Sequence, residues 1–97
     1  MKLLGRSSDS TVVELNESFK NYDAIYVSSF TKRSKEDSTI STSIFAFSED
    51  INVGDKIKLM EESAYTRFVG TYLTISSETS FTTSKSEFYI TVIGINI

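Results

Sequence analysis

The sequence predicts an all-β fold: an antiparallel β-sandwich, jelly-roll-like, with seven to eight strands in a single domain over residues 1–97. Three observations predict it. Apolar and polar residues alternate with a period of two in segment after segment, the pattern that lines one face of a strand. Serine and threonine together number twenty-eight while alanine occurs three times, so strand and turn formers displace helix formers. The alternating segments are short, closely spaced and separated by polar turns, as in sandwiches and jelly rolls.

The elements follow in order. Leu3-Leu4 starts a short first strand. In 10–15, Thr11, Val13 and Leu15 share one face and Val12 and Glu14 the other. Residues 16–22 read as a turn or one helical turn capped by Asn16, with Phe19 plugging the end of the core. Asp23 leads into a core strand in which Ile25 and Val27 point together and Tyr26 and Phe30 point opposite. The mixed-charge stretch 31–39 is a hairpin tip. The returning strand 39–47 sets Ile40, Ile44 and Ala46 against Phe45 and Phe47. Gly54-Asp55 supplies a reversal, after which Ile57 and Leu59 alternate with Lys56 and Lys58 in a half-buried strand. The segment 64–76 is long and rich in β-formers, and Gly70 within it suggests a bulge. Residues 77–86 form a turn, a short strand around Phe81 and another turn. In the last strand, 87–97, Phe88, Ile90 and Val92 face one way and Tyr89, Ile93 and Ile95 the other. Being apolar on both faces, that strand either lies centrally in its sheet or is covered by a second subunit.

Composition narrows the function. The chain has no cysteine and no histidine, which removes disulfides, thiolate chemistry, the usual neutral-pH base and the commonest transition-metal ligand. Net charge is −3 with the ten cations scattered, against the basic face that sequence-independent nucleic-acid binding needs. No apolar run approaches the roughly 20 residues of a membrane-spanning helix. Met1-Lys2-Leu3-Leu4 starts like a signal peptide, but Gly5-Arg6-Ser7-Ser8-Asp9 ends it before an apolar core forms.

Candidate chemistry is sparse. Glu49-Asp50, Asp55 and Glu61-Glu62 could supply oxygens to calcium, yet no loop has the spacing of a dedicated site, and solvated turns are the better reading. No pair of acids stands out for glycoside hydrolysis. A serine nucleophile would need a lysine base, and seven lysines among seventeen serines carry no signature spacing. Neither a catalytic residue nor a cofactor is predicted. Five tyrosines exceed what one small core comfortably buries. Of these, Tyr26, Tyr65, Tyr72 and Tyr89 are the candidate ligand-binding residues, since tyrosine rings stack on sugars and populate interfaces. Cross-strand tyrosine pairs on a solvated face explain them equally well.

The order of pieces carries a resemblance. Lys2, Leu3, Leu4 and Gly5 lead into Val13, Leu15, Ser18, Phe19, Tyr22, Asp23, Ile25 and Val27, and the chain closes on Ile90, Ile93, Gly94 and Ile95. The pattern resembles a β-sandwich domain of tail-fibre, receptor-binding and related virion proteins of bacteriophages and prophages. Nearly the whole chain is spanned, and the matching positions are structural. The resemblance implies no catalysis and no cofactor. It implies homo-oligomers, trimers above all, contacts with other virion proteins and often with a host-surface saccharide, and a place in the phage particle after synthesis in the bacterial cytoplasm. Against this non-enzymatic virion module stands a carbohydrate-binding module of a secreted bacterial protein, which predicts a monomer, often with structural calcium. Nucleic-acid binding and membrane insertion are not expected.

Overall fold

The computed structural model describes residues 1–7, 10–31, 40–60, 71–84 and 88–97. Among them are eight strands: β1 (Lys2–Ser7), β2 (Val12–Glu14), β3 (Ala24–Thr31), β4 (Ile40–Phe47), β5 (Lys56–Met60), β6 (Thr71–Ser77), β7 (Ser80–Thr83) and β8 (Tyr89–Ile95). They form two four-stranded sheets, ordered β1-β8-β3-β4 and β2-β7-β6-β5, and every pairing is antiparallel. The connections β1–β2, β2–β3, β4–β5 and β7–β8 cross between sheets, while β3–β4 and β5–β6–β7 stay within one. The crossing connections join the two layers, and β1 and β8, near the two ends of the chain, lie side by side in the first sheet. The fold is the β-sandwich that alternation predicts.

Alternation also fixes what lies between the layers. Ile25, Val27, Ile90 and Val92 from the first sheet meet Val13, Leu73, Ile75 and Phe81 from the second, all essentially without exposed surface. Phe19 closes one end of this core, its ring edge-on to Phe81 at 5.6 Å between centroids. Burying each such side chain contributes about 1.5–3 kcal/mol, the main term in so small a fold.

The turn before β3 differs in detail from the sequence reading. A single 3-10 turn, Phe19–Asn21, is capped by Ser18 and not by Asn16: Ser18 Oγ accepts from Lys20 N at 3.1 Å. Asn16 lies two residues before that cap, its backbone N–H donating to Leu4 O at 2.8 Å and stitching β1 to the start of that segment. Ser18 Oγ also donates to Glu78 Oε1, and Phe19 N donates to Glu78 O, so the turn is tied to the β6–β7 hairpin. Gly54 makes the predicted reversal with φ +98°, a conformation side chains disfavour.

Several of the resemblance residues stand in close contact: Gly5 beside Leu15, and Gly94 beside Tyr22. A Cβ on Gly5 would collide with the Glu14 carbonyl oxygen, and one on Gly94 would lie 2.6 Å from the Tyr22 ring. Lys2 pairs with Glu17 at 2.8 Å. These positions are architecture: they hold the two sheets at close approach.

Of the two places expected for β8, the structure shows the central one: it lies between β1 and β3, hydrogen-bonded on both sides. It therefore offers no edge to a second subunit. The part of 64–76 that contains Gly70, and residues 32–39, lie outside the described residues.

Candidate functional site

Cross-strand partners share a face, so the registers define what each sheet shows to solvent. On the outer face of the first sheet, Leu3, Ile93, Tyr26 and Phe45 form one row across β1, β8, β3 and β4. Ile95, Ala24 and Phe47 form the row beside it. Leu3, Phe45 and Phe47 are 48%, 51% and 46% exposed, so about half of each side chain remains in water. Phe45 and Phe47 pack edge-to-face at 5.5 Å. The next row turns polar, with Arg6, Thr91, Ser28 and Ser43; beyond it Tyr89 leans on Phe30 at 4.9 Å. Arg6 is the one charge in these rows, at the β1 side.

The outer face of the second sheet is its opposite in character. Glu14, Thr82, Thr74, Tyr72, Lys56 and Lys58 populate it, apart from a half-exposed Val12. One sandwich therefore carries a hydroxyl-and-lysine face and an apolar aromatic face.

This divides the four candidate tyrosines. Tyr26 and Tyr89 share the apolar face of the first sheet, two rows apart. Tyr72 is on the other sheet, with Lys58 Nζ 5.8 Å from its ring centre. Tyr65 lies outside the described residues. The four do not make one site. Tyr26 donates its hydroxyl to Ser43 Oγ at 2.8 Å, so its polar end is already engaged. Reasoning from tyrosines alone passed over Leu3, Phe45, Phe47 and Ile93. The signal was there: in β4, alternation sets two phenylalanines on the side away from Ile44 and Ala46, and a strand apolar on both sides needs two partners.

The remaining polar groups serve the fold. An open depression of about 560 Å³ beside Phe47 is lined by Lys20, Tyr22, Asp23, Ser48, Glu49 and Ile97. Two of its charged groups are engaged: Lys20 Nζ donates to the carbonyls of Ser48 and Ile51, and Asp23 Oδ2 accepts from Ile97 N at 2.7 Å. Asp55 Oδ2 accepts from Asn52 N, bracing the Gly54 turn. Among the described residues no three carboxylates gather as a metal site, and Glu61 and Glu62 lie outside them. Glu17 receives Lys2, Asn21 and Tyr22. Hydrogen bonds from these partners hold its carboxyl below the usual value. The same carboxylate raises Lys2, and Tyr22 is raised first by burial and then by Glu17. No helix among the described residues is long and apolar enough to cross a membrane.

The chain matches no protein-family model, no curated protein and no solved structure.

Proposed function

We propose that the chain is a non-enzymatic module of a phage virion, part of a tail or fibre, that acts by assembly through the outer face of its first sheet. The observation that carries the reading is the pair of apolar rows on that face, Leu3-Ile93-Tyr26-Phe45 and Ile95-Ala24-Phe47. Ala24 is buried and Ile93, Tyr26 and Ile95 are partly covered, but Leu3, Phe45 and Phe47 remain about half exposed beside a polar margin, and an exposed apolar patch rimmed by polar residues marks a contact surface. Covering the exposed halves of Leu3, Phe45 and Phe47 contributes about 1 kcal/mol each, about 3 kcal/mol toward the larger cost of association, the rest of which the partner's own buried surface has to supply. Self-association of several copies, with the trimer that the resemblance implies, and attachment to a host surface belong to the same reading.

A saccharide-binding role draws less support from this face. Sugar hydroxyls are held best by planar carboxylate, amide or guanidinium groups. These rows contain no Asp, Glu, Asn or Gln, and Arg6 stands at their margin.

Reconstitution tests the proposal. The purified chain is mixed with the products of the reading frames that flank its own, and complexes are resolved by sedimentation. A complex that Ile93→Lys abolishes supports assembly through this face. The reading fails if the chain sediments alone in every mixture, or if complexes form equally well with the lysine variant.

A further inference from the structure

Among the described residues, two four-stranded sheets present four edges, and three of them are protected in the ways natural proteins protect edges. β1 carries Lys2 and Arg6 and is bulged between Leu3 and Gly5. β2 is three residues long. β5 carries Lys56 and Lys58 and is irregular between Lys58 and Met60. The fourth edge is β4, eight residues reading ISTSIFAF, with no charge, proline or glycine. It keeps unbroken register with β3 over eight pairs. A long, flat, uncharged edge is a template for another strand.

The ladder shows which backbone groups face that template. Ser48 N donates to Asp23 O at 2.9 Å, one step beyond the Ala24–Phe47 pair. Hydrogen-bonded pairs alternate along an antiparallel ladder, so Ile25–Ala46 and Val27–Ile44 are the bonded pairs inward from there. The backbone N–H and C=O groups of Ser41, Ser43, Phe45 and Phe47 therefore point away from β3, out of the sheet. On the same strand Ile44 and Ala46 face the core yet stay half-buried.

We infer that β4 pairs with β4 of a second copy of this chain, antiparallel about a two-fold axis at Ile44, joining two first sheets into one eight-stranded sheet. That register alone engages all four outward residues, Ser41 opposite the partner's Phe47 and Ser43 opposite the partner's Phe45. An uncharged strand meets itself without repulsion, and antiparallel self-pairing is closed and isologous. It sets Ile44 opposite the partner's Ile44 and covers that half-buried side chain, and it places Phe45 beside the partner's Ser43 on the outer face. The inference rests on the assembly reading only in taking the chain as one that associates. It uses an edge where that reading uses a face, and it departs from a trimer.

Sedimentation equilibrium gives the first test, with twice the 10.9 kDa of one chain expected at high concentration. Amide exchange gives the second: the N–H groups of Ser43, Phe45 and Phe47 slow with rising concentration. The register is tested by charge. Ser43→Lys/Phe45→Lys sets lysine opposite lysine twice and leaves a folded monomer by circular dichroism, as does Ser43→Glu/Phe45→Glu. Mixing the two restores the doubled mass. Ser43→Pro, which removes an outward N–H together with the hydroxyl that Tyr26 bonds, also yields monomer, while Ser43→Ala, which removes the hydroxyl alone, retains the dimer. Ile93→Lys, on the face and away from the edge, retains the dimer, so loss of edge pairing and loss of the face contact are read separately. A monomer at every concentration, a trimeric mass, or a charge-paired mixture that stays monomeric overturns the inference.

Discussion

Replacing Gly94 by alanine is the sharpest probe of how the two ends of the chain are held together. The added Cβ would sit 2.6, 2.7 and 2.9 Å from Cγ, Cδ2 and Cδ1 of Tyr22. Carbon atoms rest about 3.5–4.0 Å apart, so the ring has to withdraw by about 1 Å. It has little room to do so. The atoms struck are at the base of the ring, the ring packs against the core, and the hydroxyl is tied to Glu17 at 3.1 Å. Overpacking of this kind costs about 1–3 kcal/mol. In a domain of this size that lowers Tm by about 4–24 °C. Urea denaturation of the wild type, Gly94→Ala, Tyr22→Ala and the double variant measures it as a cycle. In the Tyr22→Ala background the glycine substitution becomes nearly neutral, because there is no ring to strike. A Gly94→Ala protein within 0.5 kcal/mol of wild type, or strict additivity of the two changes, refutes the reasoning.

Two further predictions concern polar groups. Ser29 Oγ is buried on the inner side of β3 without a hydrogen-bond partner, and an unpaired buried hydroxyl costs about 1–3 kcal/mol. Ser29→Ala is expected to raise stability by about 1 kcal/mol in urea, and a loss of stability would show that the hydroxyl is satisfied. The Glu17 cluster sets the pH response. Its carboxyl is lowered from 4.5, so its contribution is present above 4.5 and is lost as pH falls through the lower folded value. Lys2 is raised from 10.5 and Tyr22 from 10.0, so their contributions are present below those values and are lost as pH rises through the raised ones. Stability is expected to level off between, with Glu17→Gln flattening the acid limb and added salt weakening the Lys2–Glu17 part. An acid limb unchanged in Glu17→Gln would assign it to other carboxylates.

Much of the fold was legible because a strand's two faces are written in alternate residues. Val13 against Glu14, Ile25 against Tyr26, Leu59 against Lys58 and Val92 against Ile93 all fall on the sides that alternation assigns. What alternation does not carry is which strand lies beside which. The central place of β8 and the edge place of β4 come from long-range pairings, and both decide how an apolar strand is to be understood. The cap on the Phe19 turn eluded sequence reasoning for a similar reason. Ser18 and Asn16 are equally good caps by type, and the choice was made by Leu4 and Glu78, far away along the chain. The candidate site shows the same division. Tyrosine chemistry pointed to Tyr26 and Tyr89 but could not group them with Leu3 and Phe47, whose neighbourhood exists only once four strands are aligned.

The position of β8 has a consequence for how the chain is made. β8 leaves the ribosome after every other strand, yet the first sheet has no middle without it: β1 on one side and the β3–β4 hairpin on the other wait for the same seven residues. Contacts that join the two ends of a chain close slowly, and an unfilled sheet leaves sticky backbone on show meanwhile. Placing β8 between β1 and β3 is then expected to be a late step of folding.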